Sequence, residues 1–320
     1  MSDLEVFIQQ VITGLSNGMI IALIAIGYTM VYGIIELINF AHGDLFMLGC
    51  FLGLTFLSLI GGVTAEAGSG SAYISIILIL LTVPVFTAAL NWCVDRLAYK
   101  PLRNAPRLAP LVSAIGVSFI FLNIGLFWGG LPLEVFNFGK TAAAPKNFPA
   151  LLPYDNLFGE SFIQFTYRDL FVFLVTIPLV IFLTWFVKST KMGKAMRAVA
   201  QNPMAASLMG INVDRIIGIT FLVGGALGGV ASVVYALYNN TIYFQMGYRV
   251  GIDAFTAAVL GGIGNLFGAM VGGILIGVIR ALSDQYIATE WTNVVIFSAL
   301  ILLLIFRPSG LLGARVREKV

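Results

Sequence analysis

Charge is what this sequence has least of. Only 10% of its 320 residues are Asp, Glu, Lys or Arg, where a soluble globular domain carries about 25%. That scarcity excludes a soluble enzyme, a nucleic-acid binder and a disordered chain. Histidine occurs once, as His42, and cysteine twice, as Cys50 and Cys93. One histidine and two thiols set in apolar runs supply neither a metal-ligand cluster nor a disulfide framework. No lysine or arginine precedes Arg96, so the basic n-region of a cleaved signal peptide is missing. The phosphate-cradling loop G-x-x-x-x-G-K-S/T is absent too: its nearest string, Gly139, Lys140 and Thr141, has Glu134 where the first glycine is required. Motifs of intramembrane proteases fail in the same way. The strings at 67–70 and 307–310 do not complete G-x-S-G, and Ala41 stands where G-x-G-D needs its first glycine.

What fills the chain instead is apolar. Hydrophobic residues make up 59%, the mean hydropathy is +0.97, and there are 35 glycines, a residue more frequent in transmembrane helices than in soluble ones. A bilayer core about 30 Å thick needs about 20 apolar residues per helix. Candidate runs cover 9–31, 37–60, 73–95, 109–130, 170–187, 216–238, 252–281 and 292–306. The expected fold is an all-α polytopic membrane protein of about 7–8 transmembrane helices, one transmembrane domain over 1–320.

Thirteen of the 18 basic residues fall in three stretches. These are Arg96, Lys100, Arg103 and Arg107; Lys188, Lys191, Lys194, Arg197 and Arg215; and Arg307, Arg315, Arg317 and Lys319. Short Lys/Arg-rich loops stay cytoplasmic, which puts all three inside and the C-terminus with them. Counting spans back sets the N-terminus outside, a tight inside connection at 31–37, and the polar stretch 129–169 outside. If 252–281 and 292–306 were both plain spans, the C-terminus would finish outside, against its charge. Gly261, Gly262, Gly264, Gly268, Gly272 and Gly273 would badly weaken a continuous helix. The expectation is therefore a broken, re-entrant hairpin that enters from outside and returns there, with 281–292 facing outward. Asn39, His42 and Gly43 interrupt an earlier apolar run as Asn265 and Gly268 interrupt this one, and paired interruptions point to a transport site near the midplane.

Glu36, His42 and Asp44 lie within eight residues of a span edge and are read as an interfacial group that caps a helix together with Asn39, rather than as an intramembrane relay. With no fixed charge expected in the spans, the path should be apolar, lined by backbone donors and acceptors. Small-xxx-small pairs recur at Gly14/Gly18, Gly49/Gly53, Gly224/Gly228, Gly225/Gly229, Gly264/Gly268 and Gly273/Gly277, and are read mainly as internal helix packing, with some left for a seam to a second subunit. The outside loop 129–169 carries four prolines among Phe136, Phe138, Phe148, Tyr154, Phe158, Phe162 and Phe165. Two readings of it stand: an ordered docking surface, or aromatics resting in the headgroup belt.

The loop 188–215 has a helical grammar of its own. Met192, Ala195, Met196, Val199 and Ala200 recur at helical spacing, Asn202 is a good N-cap, Pro203 fits the first helical position, and Gly210 is a natural stop. Two short helices with Ala and Met faces form either a knob that docks a partner or an amphipathic connection lying on the membrane.

The strings ALIAIGYTMVYGII at 22–35, INFAHG at 38–43, LVSAIG at 111–116, MGKAMRA at 192–198, LMGIN at 208–212 and AFTAAVLGGIG at 254–264 carry a likeness to a known family. It resembles the first of the two permease types of bacterial ABC importers for branched-chain amino acids, from residue 10 to about 313, most weakly at 131–168 and 61–75. The resemblance implies a bacterial inner-membrane subunit that is not itself an enzyme, paired as a heterodimer with a second homologous permease, two ABC ATPase subunits that bind ATP and Mg, and an extracytoplasmic solute-binding protein. No cofactor is expected on this chain, and no nucleic-acid partner; its contacts are an amino-acid substrate and membrane lipid. It implies an ATPase-coupling loop at Met192, Gly193, Arg197, Ala200, Asn202, Ala205 and Gly210, and a translocation path at Asn39, His42, Gly43, Gly261, Gly262, Gly264 and Asn265. A permease for urea or short amides, and an ATPase-independent secondary transporter, are the alternatives.

Overall fold

The computed structural model describes residues 3–103, 105–106, 108–159 and 161–313. Arg107 and the terminal Arg315, Arg317 and Lys319, counted above among the basic residues, lie outside the described residues. Apolar runs fold as helices because backbone polar groups in hydrocarbon must be satisfied within the segment. The helices are α1 (Asp3–Ile35), α2 (Ala41–Leu59), α3 (Gly70–Val94), α4 (Leu108–Gly129), α5 (Tyr167–Ser189), α6 (Lys191–Gln201), α7 (Pro203–Leu208), α8 (Val213–Asn239), α9 (Met246–Gly261), α10 (Leu266–Tyr286) and α11 (Thr292–Phe306). Strands are confined, among the described residues, to β1 (Lys146–Asn147) and β2 (Thr241–Ile242), paired antiparallel. Seven helices, α1, α2, α3 with its continuation to Leu102, α4, α5, α8 and α10, are long and apolar enough to cross a membrane. With 16 residues α9 reaches only about 24 Å.

Hydrogen bonds sort the connections to two ends. Gln9 Nε2 donates to the Gln164 carbonyl at 3.1 Å and Gln10 Nε2 to Gln285 Oε1 at 3.1 Å, while β1 and β2 tie the 129–169 loop to the segment after α8. At the opposite, basic end, Lys100 pairs with Asp214 at 2.8 Å and Arg103 with Asp95 at 2.5 Å; Arg103 also reaches Asp214. Asn265 Nδ2 donates to the Leu312 carbonyl there at 2.7 Å. The chain thus alternates between the ends, and the parity conflict is resolved by splitting 252–281 into the antiparallel pair α9 and α10. The break is shorter than expected. It occupies 262–265, and Gly268, Gly272 and Gly273 are helical; α9 also begins six residues earlier than the expected run.

Those helical glycines serve contact. A Cβ on Gly273 would stand 2.5 Å from the Ala22 Cα, and one on Gly277 would stand 2.3 Å from the Gly18 Cα, so α1 and α10 touch backbone to backbone. On α8, Gly225 and Gly229 abut α3, while Gly224 and Gly228 face Val31 and His42. These small-xxx-small pairs are consumed inside the chain rather than left for an intersubunit seam. They make α1 the hub, 78% buried over its apolar window, whereas the windows of α3, α4 and α5 are 28%, 17% and 22% buried.

The 129–169 loop divides its aromatics. Phe136 and Phe148 are buried, Phe136 stacking on Phe51 at 6.0 Å, and the Arg168 guanidinium lies 3.3 Å from the centre of the Tyr154 ring. Phe138, Phe158 and Phe162 remain more than half exposed. Lys146 is buried with Nζ on the Thr141 carbonyl at 2.5 Å, and burial pushes its ammonium below the ordinary lysine range.

Overpacking a tight contact costs about 1–3 kcal/mol. Gly277→Ala is expected to lower the thermal unfolding midpoint of the purified protein in detergent, while Gly116→Ala, where a Cβ meets nothing within 4 Å, leaves it unchanged. Equal midpoints for the two variants would refute the backbone-contact account.

Candidate functional site

The segment 36–40 between α1 and α2 is not helical and runs back into the interior. Glu36, in a left-handed conformation (φ 52°), turns the chain at the surface. Tyr99 Oη then donates to the Ile38 carbonyl at 3.1 Å, Asn39 Nδ2 donates to Asn91 Oδ1 at 3.1 Å, and Asn91 Nδ2 donates to the Phe221 carbonyl at 2.7 Å. His42 is fully buried, edge-on to Tyr28 with ring centres 4.7 Å apart. Its imidazole fits because Gly27 and Gly228 have no side chains; a Cβ on Gly27 would lie 2.5 Å from Nε2. Gly43 gives α2 and α9 a crossing point, since a Cβ there would meet the Gly247 carbonyl oxygen at 2.3 Å. The expectation that these residues cap a helix is therefore wrong, and they are packed inside the protein. Asn39, His42 and Asp44 are 2%, 0% and 1% exposed, and α2 begins at Ala41, after Phe40, with no side-chain cap; of the group Glu36 alone stays at the surface.

The second break runs from Gly262 to Asn265. Gly262 and Gly264 take φ of 106° and 89°, values side-chain-bearing residues rarely adopt. Asn265 caps α10 by accepting the Gly268 N–H at 3.1 Å. The loose backbone is closed by the C-terminal stretch: Leu311 N–H donates to the Leu260 carbonyl at 2.9 Å and Leu312 N–H to the Gly261 carbonyl at 3.0 Å. Ile38 of the first break and Ile263 of the second line one slot with Tyr28, Tyr32 and Phe255, of about 10 Å³. That volume is too small for an amino acid.

Tyr28 and Phe255 also border a cavity of about 850 Å³ between α2, α4 and α9. Its wall is mostly apolar, from Ile115, Phe119, Leu122 and Ile252, with Asp44, Ser118, Gln245, Tyr248 and Arg249 as polar members. Ser118 Oγ donates to Asp44 Oδ2. The helices do carry ionisable side chains, contrary to the expectation that no span offers any: Asp44 and Arg249 border this cavity, and Arg280 pairs with Asp253 at 2.6 Å between α10 and α9. Ser118 and Arg249 carried no motif in the sequence. The only signal was a lone arginine ahead of an apolar run.

In the 188–215 loop, Thr190 caps α6 by accepting the Gly193 N–H at 3.0 Å, and Asn202 caps α7 by accepting the Ala205 N–H at 3.0 Å. Gly210, at φ 82°, ends the pair. Met196 and Val199 are buried and Met192 is partly buried against the core. A Cβ on Gly193 would stand 2.2 Å from the Val187 carbonyl oxygen, and the Arg197 guanidinium donates to that same carbonyl. Gly193 and Met192 therefore face the chain itself, while Arg197 reaches back to it from an exposed position. The apolar side chains held outward are Met204, Leu208 and Met209, 75%, 83% and 83% exposed; Asn202, Ala205 and Gly210 share that exposed surface. Ala200 and Arg197 line a gap of about 70 Å³ with Gly33 and Gly264, so α6 abuts both the end of α1 and the second break.

A family model described as the permease component of branched-chain amino acid transport systems matches residues 10–305. The chain is 39% identical, over the full length of both chains, to the high-affinity branched-chain amino acid transport system permease protein BraD of Pseudomonas aeruginosa. It is 39% identical to the corresponding permease protein LivH of Escherichia coli K12, with 98% of each chain covered. A probable branched-chain amino acid transport permease of Methanocaldococcus jannaschii is 29% identical over 92% of this chain and 89% of its own. No solved structure matches the chain.

Leaving a buried polar group unpaired costs about 1–3 kcal/mol. Asn91→Ala removes the partner of both Asn39 and the Phe221 carbonyl, and is expected to lower the unfolding midpoint. Asn123→Ala, whose exposed amide bonds only within its own helix, is not. An Asn91→Ala protein as heat-stable as Asn123→Ala would contradict the bracing role.

Proposed function

The chain belongs to the family of permease components of branched-chain amino acid transport systems, and from that premise we propose how it moves its cargo. It is an ABC permease component, a multi-pass inner-membrane transport subunit rather than an enzyme. Family membership implies ABC subunits and a binding protein as partners in general. Our reading is a single transmembrane permease domain that passes branched-chain or other neutral amino acids, paired with a second homologous permease. Two ATPase subunits hydrolyse ATP and hold the nucleotide and Mg. The relatives' amino-acid cargo favours this over urea or short amides, and the likeness over the whole length of ABC permeases favours it over a secondary transporter.

The observation that carries the mechanism is the position of α6. One side of the α6–α7 pair exposes Met204, Leu208 and Met209, apolar side chains suited to a partner's groove. The other side meets Gly33 and Gly264, at the ends of the two helix breaks. An ATPase that shifts the 188–215 loop would move both breaks, and with them Ile38 and Ile263 in the narrow slot that shares Tyr28 and Phe255 with the cavity. The positive-inside rule supports a cytoplasmic basic end, carrying the 188–215 loop and the C-terminus, with the N-terminus and the 129–169 loop extracytoplasmic. The solute-binding protein would then dock on the loop end.

In cells carrying the complete importer, labelled leucine uptake is expected to resist a hundredfold excess of urea. Replacing Leu208 and Met209 together by Glu should cut uptake at least tenfold without loss of membrane insertion; wild-type uptake in that double variant would rule out docking at α7. Gly193 is unsuitable for the same experiment, because any side chain there collides with the Val187 carbonyl. Gln285→Cys is expected to react with a membrane-impermeant thiol reagent added outside, and labelling only from the cytoplasmic face would reverse the orientation.

A further inference from the structure

We propose that the cavity between α2, α4 and α9 binds the charged backbone of a zwitterionic α-amino acid, with Asp44 receiving the ammonium and Arg249 the carboxylate. The proposal rests on the amino-acid cargo of the preceding section and adds the residues that hold it. Asp44 is 1% exposed. Its Oδ2 accepts the Ser118 hydroxyl, but its Oδ1 has no hydrogen-bond partner among the described residues. A buried carboxylate oxygen without a donor is costly, and an arriving cation or N–H group relieves that cost.

The chain packs closely over that oxygen: a Cβ on Gly247 would lie 2.5 Å from Asp44 Oδ1, so only the bare backbone of α9 covers it, and a parting of α2 from α9 would open it to the cavity that Asp44 and Ser118 border. Two residues further along α9, Arg249 borders the same cavity and is exposed. Its planar guanidinium matches a carboxylate through two parallel N–H donors. The remaining wall, with Ile115, Phe119 and Phe255, suits an aliphatic side chain. At about 850 Å³ the space falls within the range of about 300–1,000 Å³ typical of ligand cavities. The other charged pair of this region, Asp253 with Arg280, is closed on itself at 2.6 Å and offers no such vacancy.

The test uses the assembled importer in lipid nanodiscs, with the binding protein omitted so that selection upstream does not mask the permease. Retention of labelled leucine is competed with leucine, with leucinol, which lacks the carboxylate, and with 4-methylpentanoate, which lacks the ammonium. Both analogues are expected to compete at least tenfold more weakly than leucine. Asp44→Asn and Arg249→Gln complexes are expected to raise the KM for leucine uptake at least tenfold, with Arg249→Lys recovering part of the loss. Analogues that compete as well as leucine overturn the site even if a variant fails to assemble. So do variants that assemble and keep the wild-type KM. A wild-type importer that takes up no neutral amino acid overturns the cargo reading and this site with it, whereas leucine uptake that is indifferent to both variants overturns the site alone.

Discussion

A backbone amide or carbonyl left unpaired in hydrocarbon costs several kcal/mol, and this chain interrupts its helices twice, once beside the buried Asn39 and once at the basic end, where Ile263 and Gly264 are exposed. Everything around the two interruptions answers that cost. At the first, Tyr99 and Asn91 reach in from α3 and its continuation to hold the Ile38 carbonyl and the Asn39 amide. At the second, the stretch after α11 folds back so that Leu311 and Leu312 occupy the last carbonyls of α9. In both cases the partner comes from a distant part of the sequence, so neither break exists without the tertiary fold.

The breaks differ from the rest of the bundle in what fixes them. The α1–α10 seam is held by backbone contact between glycines and has one good arrangement, because close-packed surfaces do not deform continuously. The breaks are held by single side-chain amides and a few main-chain bonds, which have partners to exchange. Rigid seams beside exchangeable joints give the proposed cycle its division of labour: α1, α8 and α10 keep their mutual packing while the ends of α1 and α9 move with α6. The charged groups obey the same division. Asp253 and Arg280 lock two helices together, while Asp44 keeps one oxygen free.

Much of this was legible in the sequence, and the reasons for the rest are physical. Span positions followed from apolar runs because hydrocarbon thickness sets helix length. The α6–α7 pair followed from Asn202, Pro203 and Gly210, whose local preferences decide helix ends regardless of what lies nearby. Depth was not legible. Asp44, eight residues from the end of an apolar run, reads as an interfacial residue until α2 is seen to start inside the protein. Glycine was ambiguous for a related reason. The same residue bends the chain at Gly262 and Gly264 and permits helix contact at Gly273 and Gly277, and only the neighbour's position separates the two uses. Arg249 gave little signal because what matters is the cavity it borders together with Asp44, a relation between residues about 200 positions apart.

That the first helix is the hub has a consequence for biogenesis. α1 leaves the ribosome ahead of the other described spans, yet the surfaces that cover it belong chiefly to α8, α9 and α10, made much later. Until then its glycine-studded flank has only lipid, or a chaperone of insertion, to lie against. Contacts between residues so far apart in sequence are slow to form, so the nascent permease passes most of its synthesis as a set of inserted but unassembled spans. A chain truncated before α10 would lack the element that closes the bundle over α1.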